Sequence, residues 1–108
     1  MMDLEELRES IDEIDNDLVK LFDRRMDISA EIAVYKKENK LPVHDPARER
    51  QKLHELTGRV RKGRESYITA LYSLLFELSR TEQERILNPE SELADTIQNA
   101  IKDTDRSG

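Results

Sequence analysis

Two cations lie on one face of the first predicted helix. Arg25, Ser29 and Lys36 are spaced by four and seven residues, which places them on the same side of an α-helix. Arg25 also interrupts an apolar seam, where an unpaired charge is costly to bury. Either it pairs with a neighbouring glutamate or reaches solvent, or it forms an anion site in a helical bundle with Lys36 about three turns away.

Two further groups of polar side chains permit the same two interpretations. Glu49 suits the start of the second predicted helix, whereas Arg48 beside it is misplaced for the helix dipole, which hints at a compensating anion. Ser79 and Gln83 continue an apolar face of the third helix. They either mark a helix end that emerges into solvent or point neutral hydrogen-bonding groups into a core cavity.

The elements that must position these residues are helices. The spacing predicts a first helix from Leu4 to about Asn39, and Asp45-Pro46 is a helix-start signal for a second helix that runs to about Val60. A third helix is predicted from Glu65 to about Leu87, before Pro89. No strand-like alternation or internal repeat is present, so the predicted fold class is all-α.

The first helix is too long for a compact protein of this size. It would extend about 50 Å, whereas a compact domain of about 100 residues has a radius of gyration of about 13 Å. Its apolar stripe repeats every three or four residues. The stripe comprises Leu4, Leu7, Ile11, Ile14, Leu18, Leu21, Ile28, Ile32 and Tyr35. We therefore predict a homodimer whose long helices share one core.

Composition limits the classes of protein. The 108 residues suit one domain, and 39% of them are charged, with only three glycines and three prolines. The absence of cysteine excludes thiolate chemistry and fits a cytoplasmic location. The net charge of −6 disfavours nucleic acid as a partner. Neither a signal peptide nor a membrane-spanning run is predicted.

Familiar catalytic and metal-binding patterns are missing from the sequence. His44 and His54 lack metal-ligand spacing and are predicted to be surface residues. Ser29 and Ser79 have no partner pattern that would make either a nucleophile. The chain also lacks a glycine-rich phosphate loop. No metal site is therefore predicted.

The combination of motifs resembles the all-α chorismate mutase family. The resemblance rests on LRESIDEID at 7–15, Arg24-Arg25, Lys36, PVHDPARER at 42–50, and the segment from Tyr67-Ile68-Thr69 through Ser79 and Gln83. It covers about residues 3–87, so we predict a mutase domain at 1–87. Residues 88–108 would then be a C-terminal extension or linker, with a possible short helix.

The resemblance implies an architecture and a reaction. Similar proteins are intertwined homodimers of three-helix protomers, and they rearrange chorismate to prephenate in phenylalanine and tyrosine biosynthesis. This Claisen rearrangement needs no cofactor, proton shuttle or nucleophile. Fixed charges hold the substrate folded and stabilise the negative charge that grows on its ether oxygen.

The resemblance also implies residues that bind the substrate's carboxylates. Arg25 would clamp one carboxylate, together with Arg8 from the partner subunit. Arg48 and Asp45 would lie near the ring, and Ser79 would lie beside the ring carboxylate.

Further residues are implied at the reacting centre. Lys36 and Gln83 would donate hydrogen bonds to the ether oxygen, and Glu49 with Asp45 would meet the ring hydroxyl. Because the amide of Gln83 needs no protonation to donate, little acid dependence of the rate is expected near neutrality.

Two alternatives remain open from the sequence. An isochorismate-pyruvate lyase of the same fold would use a similar charged pocket. A non-catalytic dimeric helical adaptor would use Arg25 and Lys36 as structural ion-pair members.

Overall fold

The computed structural model describes residues 3–88, which form three α-helices and no strand. Helix α1 spans Leu4–Glu38, α2 spans Pro46–Thr57 and α3 spans Glu65–Leu87. The predicted all-α class and its very long first helix are therefore confirmed. Apart from Asn88, the predicted extension at 88–108 lies outside the described residues, and the domain boundary at 87 stays a prediction.

Both ends of α1 are stabilised by local sequence. At the start, the Asp3 carboxylate accepts a hydrogen bond of 2.8 Å from the backbone N–H of Glu6, which satisfies a free donor of the first turn. Acidic residues occupy the first turn and basic residues the last, as the helix dipole favours. No proline or glycine interrupts the 35 residues between these ends.

The chain reverses sharply after α1 and folds back over its last turn. Lys40 adopts a left-handed conformation with φ of 56°. The N–H of Lys40 donates to the carbonyl of Lys37, and the N–H of Leu41 donates to the carbonyl of Lys36 at 2.8 Å. These two bonds form a Schellman cap, which satisfies carbonyls at the helix end. The following loop is thereby turned back toward the side chain of Lys36.

Helix α2 begins as predicted but ends sooner. The Asp45 carboxylate accepts from the backbone N–H of Arg48 at 3.1 Å, and Pro46 is the first helical residue. The predicted end near Val60 was wrong, because α2 ends at Thr57 with Gly58 as its C-cap. Glycine is a poor helix former, and the next N–H, of Arg59, bonds to Leu56 in a tighter turn.

Helix α3 packs against both α1 and α2 and is the central element of the described fold. Only six of the described side chains are buried, and half of them are polar. They are Ser29, Ala33, Leu56, Phe76, Ser79 and Gln83. The interior of the single chain is therefore a small and partly polar region where the three helices meet.

The apolar stripe of α1 is largely uncovered in the single chain. Its N-terminal members Leu4, Ile11 and Leu18 are each more than half exposed. α3 also exposes Tyr67, Leu71 and Leu74. Exposed apolar patches of this kind mark interaction surfaces. The predicted homodimer would cover them, and the intertwined arrangement stays a prediction.

Candidate active site

One face of each helix lines a single cavity of about 310 Å³. Every polar residue of a face lies three, four or seven positions from another one, so they project from the same side of their helix. α1 supplies Arg25, Ser29 and Lys36; α2 with its N-cap supplies Asp45, Arg48, Glu49 and Lys52; and α3 supplies Ser79, Arg80 and Gln83. The volume is within the range typical of small-molecule sites.

The wall of this cavity is strongly cationic, although the chain is acidic. Five basic and two acidic side chains line it, which gives a local charge of +3 against a net chain charge of −6. Clefts lined by one sign of charge concentrate field lines and attract ligands of the opposite sign. The cavity is therefore suited to a small molecule with more than one negative charge.

Arg25 is held at the cavity without a carboxylate partner among the described residues. Its guanidinium donates a hydrogen bond to the hydroxyl of Ser79. The same group lies 6.0 Å from the ring centre of Tyr72 and 5.8 Å from that of Phe76, within the range of cation–π attraction. These neutral partners orient the guanidinium but leave its charge unneutralised. Of the two interpretations of Arg25, this arrangement favours the anion site over a structural ion pair.

Lys36 is oriented by the loop that follows its own helix. Its ammonium donates a hydrogen bond of 2.8 Å to the backbone carbonyl of Val43. Within residues 3–88 it forms no salt bridge. An ammonium has three donors, so at least one remains for a ligand in the cavity.

The N-terminus of α2 brings opposite charges to one wall of the cavity. Asp45 uses one carboxylate oxygen to cap the helix, while the side chain of Arg48 lines the cavity. The Glu49 carboxylate accepts from the guanidinium of Arg80. The imidazole of His44 is 3.9 Å from Glu49, and its side chain is 56% exposed, as predicted for a surface histidine.

Ser79 and Gln83 turn inward rather than emerge into solvent. Ser79 is 8% exposed and Gln83 is 6% exposed, so the second interpretation of this face is correct. Among the described residues, the buried side-chain oxygen of Gln83 accepts no hydrogen bond. A buried polar atom without a hydrogen-bond partner is costly. Such an atom is typical of a site that is completed by a ligand or by another chain.

Arg8 is the one predicted site residue that does not line the cavity. It is exposed, and it lies 17 positions before Arg25 on the same helix, or about 25 Å along the axis. An arginine side chain cannot span that distance. Within one chain Arg8 therefore belongs to a different region of the molecule.

The sequence interpretation missed Lys52 and Arg80, which also line the cavity. A usable signal was present. Lys52 is three positions after Glu49, and Arg80 is three positions before Gln83, so both share a face with a predicted site residue.

Two further searches cover the same part of the chain. No group of three or more His, Cys, Asp or Glu side chains within residues 3–88 is arranged to hold a metal ion. None of the three described helices is both long enough and apolar enough to cross a membrane.

Comparisons with known proteins agree on one family. The family model for chorismate mutase type II matches residues 7–84. The chain is 35% identical over 88 residues to a bifunctional chorismate mutase/prephenate dehydratase from Buchnera aphidicola, across 80% of this chain and 23% of that protein. It is also 40% identical over 47 residues to a chorismate mutase from Methanocaldococcus jannaschii, across 44% of this chain and 48% of that protein.

A solved structure extends the likeness to three dimensions. The crystal structure of chorismate mutase from Helicobacter pylori in complex with prephenate matches with a TM-score of 0.71 and 37% identity. The match covers 82% of this chain and 97% of that chain. By contrast, the chain spans less than a quarter of the Buchnera aphidicola relative. With a family model that matches most of its length and a neighbour of the same three-dimensional shape, this chain belongs to the chorismate mutase type II family.

Proposed function

We propose that this protein catalyses the rearrangement of chorismate to prephenate in the cavity between its three helices. The observation that carries the proposal is the set of cations Arg25, Lys36 and Arg48, which converge on one cavity without carboxylate partners of their own among residues 3–88. Chorismate is a dianion of suitable size for this cavity. Neither a lyase nor an adaptor role is favoured by the family or by the names of the relatives.

Binding would fold the substrate into its reactive shape. In the proposed arrangement Arg25 holds one carboxylate, Arg48 lies near the ring and Ser79 lies beside the ring carboxylate. Two fixed anchors on different helices restrict the rotation of the enolpyruvyl group. Fixing two reacting ends in a near-attack geometry removes part of the barrier before any bond changes.

The chemical step is a redistribution of electrons within one molecule. The C–O bond between the ring and the ether oxygen breaks as a C–C bond forms between the enolpyruvyl carbon and the ring, so no atom is gained or lost. As the C–O bond lengthens, negative charge grows on the ether oxygen. Donors fixed at that position stabilise the transition state more than the ground state.

Lys36 and Gln83 are the proposed donors to this oxygen. Both line the cavity, and the Lys36 ammonium is already oriented by Val43. A hydrogen bond with a charged partner contributes about 1.5–3 kcal/mol. Several such bonds, with the restriction of rotation, reach the roughly 8 kcal/mol that marks modest enzymatic acceleration.

On the wall formed by α2, Glu49 is proposed to accept a hydrogen bond from the ring hydroxyl, with Asp45 at the N-cap of the same helix. Asp45 accepts from the backbone at one oxygen and Glu49 accepts from Arg80 at both, and an ionised carboxylate keeps further acceptor sites for a hydroxyl. This contact fixes the ring orientation relative to the carboxylate anchors.

The test is the loss of chorismate absorbance with purified protein, with acid conversion of the product to phenylpyruvate. Lys36→Ala is expected to lower kcat by about 10²–10³ because it removes one donor to a developing oxyanion. Lys37→Ala is the matched control, since Lys37 is the adjacent exposed cation and does not line the cavity. No turnover by folded protein would refute the mutase proposal, and isochorismate would then be offered with pyruvate as the readout.

We also propose that the active unit is a homodimer in which Arg8 of the partner subunit completes each cavity. Two facts support this proposal: the uncovered apolar stripe of α1 and the separation of about 25 Å between Arg8 and Arg25 along one helix. In a two-fold dimer each chain gives and receives the same contact.

Subunit complementation tests this arrangement. Arg8→Ala and Lys36→Ala dimers are each expected to be nearly inactive. Mixed dimers would contain one site with both wild-type residues, so random reassembly of equal amounts should restore about a quarter of the wild-type sites. If Arg8 acted within its own chain, every site of the mixed dimer would lack one residue, and no activity would return.

The cytoplasmic location and a linker role for residues 88–108 stay predictions from the sequence.

A further inference from the structure

Arg80 has no place in the mechanism above, although it is central to one wall of the cavity. Its guanidinium donates to both carboxylate oxygens of Glu49. The two side chains are 30% and 24% exposed, so the pair is more shielded from solvent than the other pairs within residues 3–88 that join an arginine to a glutamate. A hydrogen bond between charged groups is short and strong in such surroundings.

The pair also crosses from one helix to another. Glu49 is in the first turn of α2 and Arg80 is on α3, whereas the pairs Arg59–Glu55 and Arg85–Glu82 each lie within a single helix or just beyond its end. α2 packs against α3 but buries only one of its side chains, Leu56. Few apolar contacts therefore fix the position of Glu49.

Glutamate is a flexible acceptor unless something holds it. Ordering such a side chain costs rotamer entropy, and a ligand that must order it binds more weakly. Arg80 imposes that order before the ligand arrives. An ionised carboxylate has about four acceptor sites, so Glu49, which lines the cavity, can accept a further hydrogen bond beside those from Arg80.

We propose that Arg80 is a positioning residue, which holds the Glu49 carboxylate where it accepts a hydrogen bond from the substrate's ring hydroxyl. This inference rests on the proposed function, in which Glu49 meets that hydroxyl. Arg80 itself touches Glu49 and is not assigned a contact with the reacting atoms. Its consequence is discrimination: the cavity prefers a ligand that carries the hydroxyl.

Lys52 supplies a matched control for the charge that Arg80 brings. It lines the same cavity, but its ammonium lies 3.8 Å from Glu55, and no hydrogen bond joins it to Glu49 among the described residues. Lys52→Met removes one positive charge from the cavity and leaves the Arg80–Glu49 pair intact. It should weaken every dianionic ligand by a similar factor.

The experiment measures two ligands against four proteins by titration calorimetry. The ligands are an oxabicyclic dicarboxylate that mimics the rearrangement transition state and the same compound without its hydroxyl. The proteins are wild type, Arg80→Met, Arg80→Lys and Lys52→Met, each checked by thermal melting. The readout is the ratio of the two Kd values, which a general loss of charge or stability does not change.

Wild type and Lys52→Met are expected to prefer the hydroxylated compound by about tenfold or more, as a hydrogen bond to a charged group allows. Arg80→Met should lose most of that preference, and Arg80→Lys should retain part of it. Should Arg80→Met fail to fold, the proposal is supported if Arg80→Lys prefers the hydroxylated compound less strongly than wild type does.

Two results would overturn the inference while the proposed function stands. One is an Arg80 variant that weakens both compounds equally, and the other is a wild type that binds both but without preference. If folded wild type binds neither compound, the proposed function itself fails and the role of Arg80 fails with it.

Discussion

Exchange of Gln83 for glutamate is a sharp test of the proposed transition state. Gln83 is 6% exposed and lines the cavity on α3. Its amide donates at any pH, whereas a carboxyl donates only when it is protonated. An ionised Glu at this position would also repel the negative charge that develops on the ether oxygen. Gln83→Glu is therefore expected to convert a reaction with little acid dependence into one that acid accelerates.

The expected loss of activity of Gln83→Glu at pH 7 can be worked out in two independent ways. With an ordinary glutamic acid pKa of about 4.3, only about 0.2% of such side chains are protonated at pH 7. Loss of one donor to a developing oxyanion costs about 10²–10³ in kcat, which is of the same order. Log kcat/KM of the variant should thus rise by about one per pH unit as pH falls from 7 to 5, until the ionised form no longer limits it.

The assay is kcat/KM from chorismate absorbance between pH 5 and 8 at constant ionic strength, with helicity followed at each pH. Wild type should change little over this range. Gln51→Glu is the control, because it adds the same charge at an exposed position of α2 that does not line the cavity. A flat profile for Gln83→Glu, or a wild-type rate that rises steeply toward pH 5, would refute Gln83 as the donor.

Two substitutions separate stability from function. Arg25→Met should weaken binding of a dicarboxylate inhibitor, measured by calorimetry, by about tenfold to a hundredfold. The free energy of unfolding in urea should change by less than about 1 kcal/mol, because the substitution removes a half-buried cation that has no carboxylate partner among residues 3–88. A large loss of stability would contradict the anion-site interpretation. Asp45→Ala should destabilise the protein by about 1 kcal/mol through loss of the α2 cap and raise KM by loosening Arg48. Asp45→Asn should restore the melting temperature since asparagine caps equally well, and equal melting of all three proteins would disprove the capping role.

Most of the helical framework could be predicted from local chemistry. The start of α2 followed from Asp45 and Pro46, whose capping oxygen and missing N–H act within one turn. The end of α2 was placed too late, since the apolar spacing continued to Val60 while Gly58 and its tighter turn ended the helix at Thr57. The periodicity of apolar residues shows which face of a helix is apolar, but it is a weaker guide to the residue at which the helix ends.

The site was harder to predict because its members are charged. Ser79 and Gln83 could be identified since they continue an apolar face into the cavity. Lys52 and Arg80 share a helix face with Glu49 and Gln83, but charged residues make up 39% of this chain, so that spacing alone does not separate them from solvated surface charges. Only the packing of α3 against α2 brings Arg80 to Glu49. The spacing of residues within one helix does not show which residue of another helix a side chain contacts, since that depends on how the helices pack.

The polar cavity and the exposed apolar stripe of α1 are two consequences of one distribution of side chains. The region where three helices meet would ordinarily hold an apolar core, and here it holds Ser29, Ser79 and Gln83 beside unneutralised cations. Burial of apolar area is the main favourable contribution to the free energy of folding. Because the centre is polar, a single chain of this size buries little apolar area. The stripe exposed along α1 is the largest apolar reserve among the described residues. In the proposed homodimer a second copy would cover that stripe and bring its own Arg8 to the cavity, so assembly and the completion of the site would depend on one surface.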